Sequence, residues 1–151
     1  MKQIEITTNV YQSLGEVDEI LVGKGFKIIR KSRVEDQYMS LESDRLTEDN
    51  ILSILANSLL IRYLCVNGKD EYKKLTYKKK EYDEETFLSE EKINLGIDSI
   101  DDARKLLEAL GFKKLVDVRY DVTVYSNDDI ELAFQEVDDL GLLVEYERSE
   151  D

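Results

Sequence analysis

Two helical runs in this chain end in the same tripeptide, and that echo limits the fold more than any other feature. Gly25-Phe26-Lys27 follows the first run and Gly111-Phe112-Lys113 the second, with Arg33 and Arg119 at the same offset beyond each. The first run, Tyr11 to Lys24, carries Leu14, Val17, Ile20 and Leu21 at helical spacing. The second, Ile100 to Leu110, is capped by Ser99 and has Asp101 and Asp102 at its positive end. A glycine stops each. Strand patterns surround both: Lys2 to Thr8, Phe26 to Arg30, Val34 to Leu41, Leu59 to Val66, Tyr72 to Lys80, Lys92 to Ile97, Val116 to Tyr125, Ile130 to Phe134, and a last strand closing at Glu147. Asn67-Gly68 reads as a hairpin turn, because both residues tolerate positive φ. Ser126-Asn127-Asp128-Asp129 reads as another turn. The stretch Glu42 to Asn57 reads as a short turn of helix or an irregular crossing. Each half begins strand, helix, strand. The expected fold is α+β: one domain over residues 1–151, in which two pseudo-repeated halves close an eight-stranded antiparallel barrel with its helices outside. Most strands show a polar and an apolar set. In such a barrel the apolar set packs under the helices and the polar set lines the interior.

Composition narrows the chemistry. The 151 residues and 42% hydrophobic content suit one domain with a sizeable core. Zero prolines and 7 glycines speak against linkers. No apolar run approaches the ~20 residues that span a membrane. The start, Lys2-Gln3-Ile4, carries no secretory signal, and the single Cys65 fits a reducing compartment, so a cytoplasmic location is expected. With no histidine, histidine bases and histidine zinc sites are excluded. Any metal must be held by oxygen, which favours magnesium, manganese or calcium. A net charge of -13 speaks against nucleic acid and anionic membrane as partners, since like charges repel. It leaves room for a phosphorylated small molecule where basic residues gather locally.

The two chain ends point to such a site. Ile4-Glu5-Ile6 and Leu142-Leu143-Val144-Glu145-Tyr146-Glu147 both place carboxylates on one strand face and apolar groups on the other. Alternate strand residues share a face, so Glu5, Glu145 and Glu147 form a candidate set for one hard cation. Arg62 lies between apolar neighbours on a strand's interior face. A guanidinium there needs an anion, either a ligand phosphate or an internal glutamate. Lys74, Lys78 and Lys80 share a face with Thr76, and Lys92 offers a cation from another strand. Tyr38 and Tyr120 are candidates either for an internal hydrogen-bond network or for simple packing.

These residues resemble the CYTH domain, the group that holds class IV adenylyl cyclases and thiamine triphosphatases within the triphosphate tunnel metalloenzymes. The likeness is carried by Asp36-Gln37-Tyr38, Leu59-Leu60-Ile61-Arg62, Leu75-Thr76-Tyr77-Lys78 and the ending Val137-Asp138-Asp139-Leu140-Gly141 through Glu147. It implies a tunnel whose basic side chains bind a triphosphate while glutamates hold Mg2+ or Mn2+. Carried onto this chain, it implies substrate binding by Arg62, Lys78, Lys80, Lys92 and Tyr38, metal binding by Glu5, Glu145 and Glu147, and hydrolysis or cyclisation of a triphosphate. A homodimer is one further option. The family's Glu-x-Glu-x-Lys falls on Gln3, Glu5 and Thr7, so only the central acid remains. Leu60 stands where an arginine is usual, Tyr120 and Val122 where a lysine and an arginine are, and Gln135 where an aspartate is. The strand glutamates expected near Lys92 are displaced to Glu90 and Glu91. A register slip of one would put Arg119 and Asp121 inside in place of Tyr120 and Val122. The losses predict weakened or altered chemistry. The alternative is a non-catalytic tunnel for a smaller anion or a protein partner.

Overall fold

The structure, a computed structural model, describes residues 2–41, 47, 49, 57–84 and 86–150. In chain order the elements are β1 (Lys2–Val10), α1 (Leu14–Gly23), β2 (Lys27–Ser40), β3 (Asn57–Val66), β4 (Asp70–Asp83), β5 (Thr86–Gly96), α2 (Ile100–Ala109), β6 (Lys113–Ser126), β7 (Glu131–Val137) and β8 (Gly141–Glu150). The strands form one sheet of eight in the order β1-β8-β7-β6-β2-β3-β4-β5. The pairings β1/β8, β4/β5, β6/β7 and β7/β8 are all antiparallel. The α+β class and the eight antiparallel strands match expectation. Closure does not follow: the order begins at β1 and ends at β5, and among the described residues no hydrogen-bonded ladder joins those two.

Strand bounds differ from expectation where charged residues read as loop. The segments expected at Phe26 to Arg30 and Val34 to Leu41 are one strand, because Lys31-Ser32-Arg33 holds no glycine or proline to break it. The acidic stretch after Lys80 is mostly strand as well. β4 runs on to Asp83, with a register shift at Glu81/Tyr82, and β5 starts at Thr86. The stretch from Glu42 to Asn57 lies outside the described residues apart from 47, 49 and 57. No helix among the described residues is long and apolar enough to cross a membrane.

Contacts divide the chain into two compact units: Met1–Val34, Cys65–Asp70 and Arg119–Asp151 in one, Glu35–Leu64 and Glu71–Val118 in the other. In the first unit, Ser13 caps α1 by accepting a hydrogen bond from the Glu16 amide at 3.2 Å. Val17 and Leu21 of α1 bury against Tyr125 and Phe134, with Val10, Leu142 and Val144 packed around them. The Tyr125 and Phe134 rings meet edge to face at 5.6 Å. The Tyr125 hydroxyl donates to Asp18 on α1 at 2.7 Å.

In the second unit, Ser99 caps α2 in the same way, accepting from the Asp102 amide at 3.1 Å. Leu107 of α2 buries against Met39 and Ile61, with Leu59, Leu75 and Phe112 packed on them. The repeated tripeptide performs one job in each unit. Gly25 and Gly111 take positive φ (87° and 100°), and the amides of Phe26 and Phe112 return to the carbonyls of Leu21 and Leu107. Each phenylalanine then packs on its own unit's core.

Candidate functional site

The strand period of two separates core from candidate site in each unit. In the second unit the core residues Met39, Leu59, Ile61 and Leu75 are all odd-numbered. The candidates Tyr38, Arg62, Lys78, Lys80 and Lys92 are all even-numbered, so they occupy the face turned away from α2. The β4/β5 register sets Lys78 opposite Lys92, Lys80 opposite Glu90 and Thr76 opposite Asn94. Thr76 is 0% exposed, and its hydroxyl donates to Asn94 Oδ1 at 2.9 Å. Lys78 and Lys92 are therefore like charges at directly opposed positions, an arrangement that costs stability unless an anion is shared. Burial pushes the Lys78 ammonium below the usual lysine value, and the charges of Arg62, Lys92 and Lys80 push the same way while Glu90 opposes them. The five residues expected to bind substrate thus lie on one face, four of them cationic. Lys74, the other member of the stripe, lies over the Tyr72 ring at 5.9 Å.

Arg62 has found an anion inside the protein. Its Nε and Nη2 donate to the two carboxylate oxygens of Asp36 at 2.7 and 2.8 Å. The Asp36 side chain is 1% exposed and that of Arg62 16%. Of the two partners expected for Arg62, a carboxylate is the one present, though it is an aspartate of β2 and not a glutamate. The need of a half-buried guanidinium for a bidentate partner was legible in the sequence; which acid met it was not. Burial and the neighbouring Asp36 both raise the Tyr38 hydroxyl above its ordinary pKa, so it stays a hydrogen-bond donor at neutral pH. Leu60, where the family offers an arginine, is 0% exposed. It puts an apolar side chain on the face of Arg62.

The acidic set belongs to the first unit. The β1/β8 register places Glu5 opposite Glu147 and Thr7 opposite Glu145, four oxygen-bearing positions on one face. That face is the one away from α1, since Val10, Leu142 and Val144 pack on the other. For Glu5 and Glu147, whose side chains are not among those described, only the register is stated. Among the described residues no three carboxylates, cysteines or histidines gather at a metal-sized point. Glu145 is held from β7: Gln135 Nε2 donates to its Oε2 at 2.9 Å. The glutamine at the family's aspartate position thus supplies an amide donor where an acid would add charge.

The β6/β7 register settles which residues of β6 share this face. Val122 is opposite Gln135 and Tyr120 opposite Val137, so both lie on the Glu145 face. Asp121 has the parity of Tyr125 and turns the other way. There it accepts from Arg33 Nη1 at 3.2 Å, while Arg33 also holds Asp138 with bonds of 3.1 and 2.9 Å. The hydrogen bonds from Arg33 keep the Asp138 carboxyl below its ordinary pKa.

Among the described residues the chain thus combines an eight-stranded antiparallel sheet, two helices and a cation-bearing strand face. No family model matches the chain. Over 150 residues it is 29% identical to a protein of Methanocaldococcus jannaschii named "Putative adenylate cyclase MJ0240", a match that covers 99% of this chain and 78% of that one. Among solved structures it superposes on the PH1819 protein of Pyrococcus horikoshii with a TM-score of 0.74 at 25% identity, over 99% of this chain and 79% of the other. It also superposes on a Hippeastrum protein described as a putative adenylyl cyclase with a dominant triphosphatase activity, with a TM-score of 0.62 at 14% identity over 98% and 79% of the two chains. At that last identity the likeness concerns the fold.

Proposed function

We propose that this chain binds the phosphate groups of a small-molecule triphosphate on the face of the second unit that carries Lys78, Lys80, Lys92, Arg62 and Tyr38, and, as a separate proposal for the first unit, that Glu5, Glu145 and Glu147 hold Mg2+ or Mn2+. The observation that carries the phosphate reading is one pair of opposed like charges: Lys78 stands across from Lys92. That juxtaposition is unfavourable as it stands and is relieved by a shared anion. The acidic positions offer only oxygen, the donor type that magnesium and manganese take. The chemistry that such an ion would supply is charge neutralisation. Lys78 and Lys92 attract and orient phosphate oxygens, and the Tyr38 hydroxyl stays protonated to donate a hydrogen bond. The name of the Methanocaldococcus relative, a putative adenylate cyclase, supports cyclisation as the reaction class, with hydrolysis the other reaction that the sequence resemblance implies.

A second reading, binding without turnover, is favoured by two observations. Asp36 already occupies the Arg62 fork, and Leu60 is fully buried where a cation is usual. Each missing charge-assisted contact removes about 1.5–3 kcal/mol of phosphate binding.

Thermal denaturation with tripolyphosphate or ATP, with and without Mg2+ or Mn2+, tests the proposal. A ligand at ~100 times its Kd adds about 2.7 kcal/mol of stability, or roughly 5–10 °C for a chain of this size. Lys78→Met should abolish the shift. No shift with any phosphate compound, in either metal, would reject phosphate binding. Product formation separates the first reading from the second.

A further inference from the structure

The strand β5 is open on three sides. It ends the strand order, so among the described residues only β4 pairs with it, and its outer backbone N–H and C=O groups meet no further strand. Every residue from Leu88 to Gly96 is exposed, so neither face of the strand is covered. Ile93 and Leu95 are 64% and 59% exposed. A long edge strand with bare apolar side chains and no proline is a template for one more strand. The sequence of β5 says which strand suits it. Past the register shift at Glu81/Tyr82, the ladder with β4 is regular from Ser89 to Gly96. A second copy joined by a twofold axis perpendicular to the sheet keeps each face on its own side, so residues of like parity come to stand opposite one another. Among such registers within the regular stretch, the one centred on Glu91 opposes unlike charges: Glu90 meets Lys92 of the partner subunit, and by symmetry this happens twice. Centring on Glu90, Lys92 or Ile93 opposes none. The two copies of Glu91 then meet on the axis, each with Lys79 of its own β4 on its other side as a counter-charge. Ser89 stands opposite Ile93 of the partner subunit, a small residue beside an exposed apolar one.

We propose that β5 is a dimerisation strand: it pairs antiparallel with β5 of a second copy of this chain, about a twofold axis at Glu91. The pairing supplies the missing neighbour of the edge and joins two sheets into one. Opposite-charge pairs directly across strands stabilise an antiparallel ladder, and here the symmetry doubles them. The Lys92 ammonium has three N–H donors, so a carboxylate from the second copy leaves others for a phosphate.

The test is sedimentation equilibrium of the full chain over a range of concentrations, with no phosphate compound present. Wild type should show a monomer–dimer equilibrium. Lys92→Glu and Glu90→Lys each set like charges across the axis, and each should weaken the dimer at least about tenfold. The two substitutions together exchange the signs and should restore it, which a loss of folding in either single variant would not imitate. Cross-linking checks the register and stands in should the charge variants fail to fold. In a chain carrying Cys65→Ser, Glu91→Cys places two thiols directly opposite on the axis, and mild oxidation should lock a covalent dimer. Leu95→Cys in the same background lies far from its own symmetry mate and should not. A monomer at every concentration overturns the inference. So does a dimer that Lys92→Glu leaves unchanged, or one that Glu91→Cys does not lock, since either places the contact on another surface, the β1 edge of the second copy included.

Discussion

At the scale of single residues, the site is a set of charges held against their own electrostatics. Arg62 and Asp36 are a half-buried, bidentate pair, and removing one partner strands the other. Arg62→Ala should cost about 3–5 kcal/mol, read as a lower urea midpoint, since Asp36 would remain buried without its counter-ion. Lys78 confers a dependence on pH. Its folded pKa lies below 10.5, so between the two values the unfolded chain binds a proton that the folded chain does not. Stability should therefore rise with pH across that window. A bound phosphate favours the ammonium form, so ligand binding should take up a proton and weaken as pH climbs past the folded value. Titration calorimetry in buffers of different ionisation enthalpy measures that uptake. Tyr125 behaves oppositely at the alkaline end: burial and its bond to Asp18 push it up to about 12, and the stability it contributes below pH 10 is lost as pH rises toward that value.

At the scale of elements, turns and caps were the most legible features, because their chemistry is local. Ser99 caps its helix, and Gly25 and Gly111 end theirs with positive φ, as their positions in the chain imply; Ser13 caps the first helix within the run expected to start at Tyr11. Asn67 and Gly68 both take positive φ (52° and 69°) in the β3–β4 turn. The turn also clamps β2: the Asn67 amide donates to the Lys31 carbonyl, and the Asn67 side chain accepts from the Lys31 amide at 2.9 Å. Asn67→Ala loses the side-chain bond and makes a residue with a larger penalty adopt the left-handed region. A loss of about 1.5–3 kcal/mol is expected by chemical denaturation. Strand lengths were less legible. The charged run that continues β4 to Asp83 carries no hydrophobic alternation to mark it as strand, and cross-strand pairing with β5 supplies what the pattern lacks.

Across the whole molecule, the strongest electrostatic influence is a net charge of -13, and it acts in two directions. Self-repulsion of a strongly acidic chain opposes the folded state. Moderate salt should thus raise the melting temperature of the free protein by screening. The same salt should weaken phosphate binding, which depends on a local cationic face within an acidic molecule. A titration of NaCl from low to physiological strength, with and without tripolyphosphate, separates the two effects: the free protein gains stability while the ligand-induced shift shrinks. A shift that grows with salt would mean that charge does not drive binding.

Sequence by itself determined the local and periodic features: two helices and the Ser99 cap, the Asn-Gly hairpin, and strands with one polar and one apolar face. These follow from short-range chemistry and from the strand period of two, both present in the order of residues. Tertiary structure alone decided the pairings. It chose Asp36 as the partner of Arg62 across 26 residues and Gln135 as the donor to Glu145. It set the β6 register that leaves Tyr120 and Val122 on the Glu145 face and sends Asp121 to Arg33. A one-residue slip exchanges the two faces of a strand. Only the packing of one apolar face beneath a helix, a contact between segments distant along the chain, selects among the alternatives.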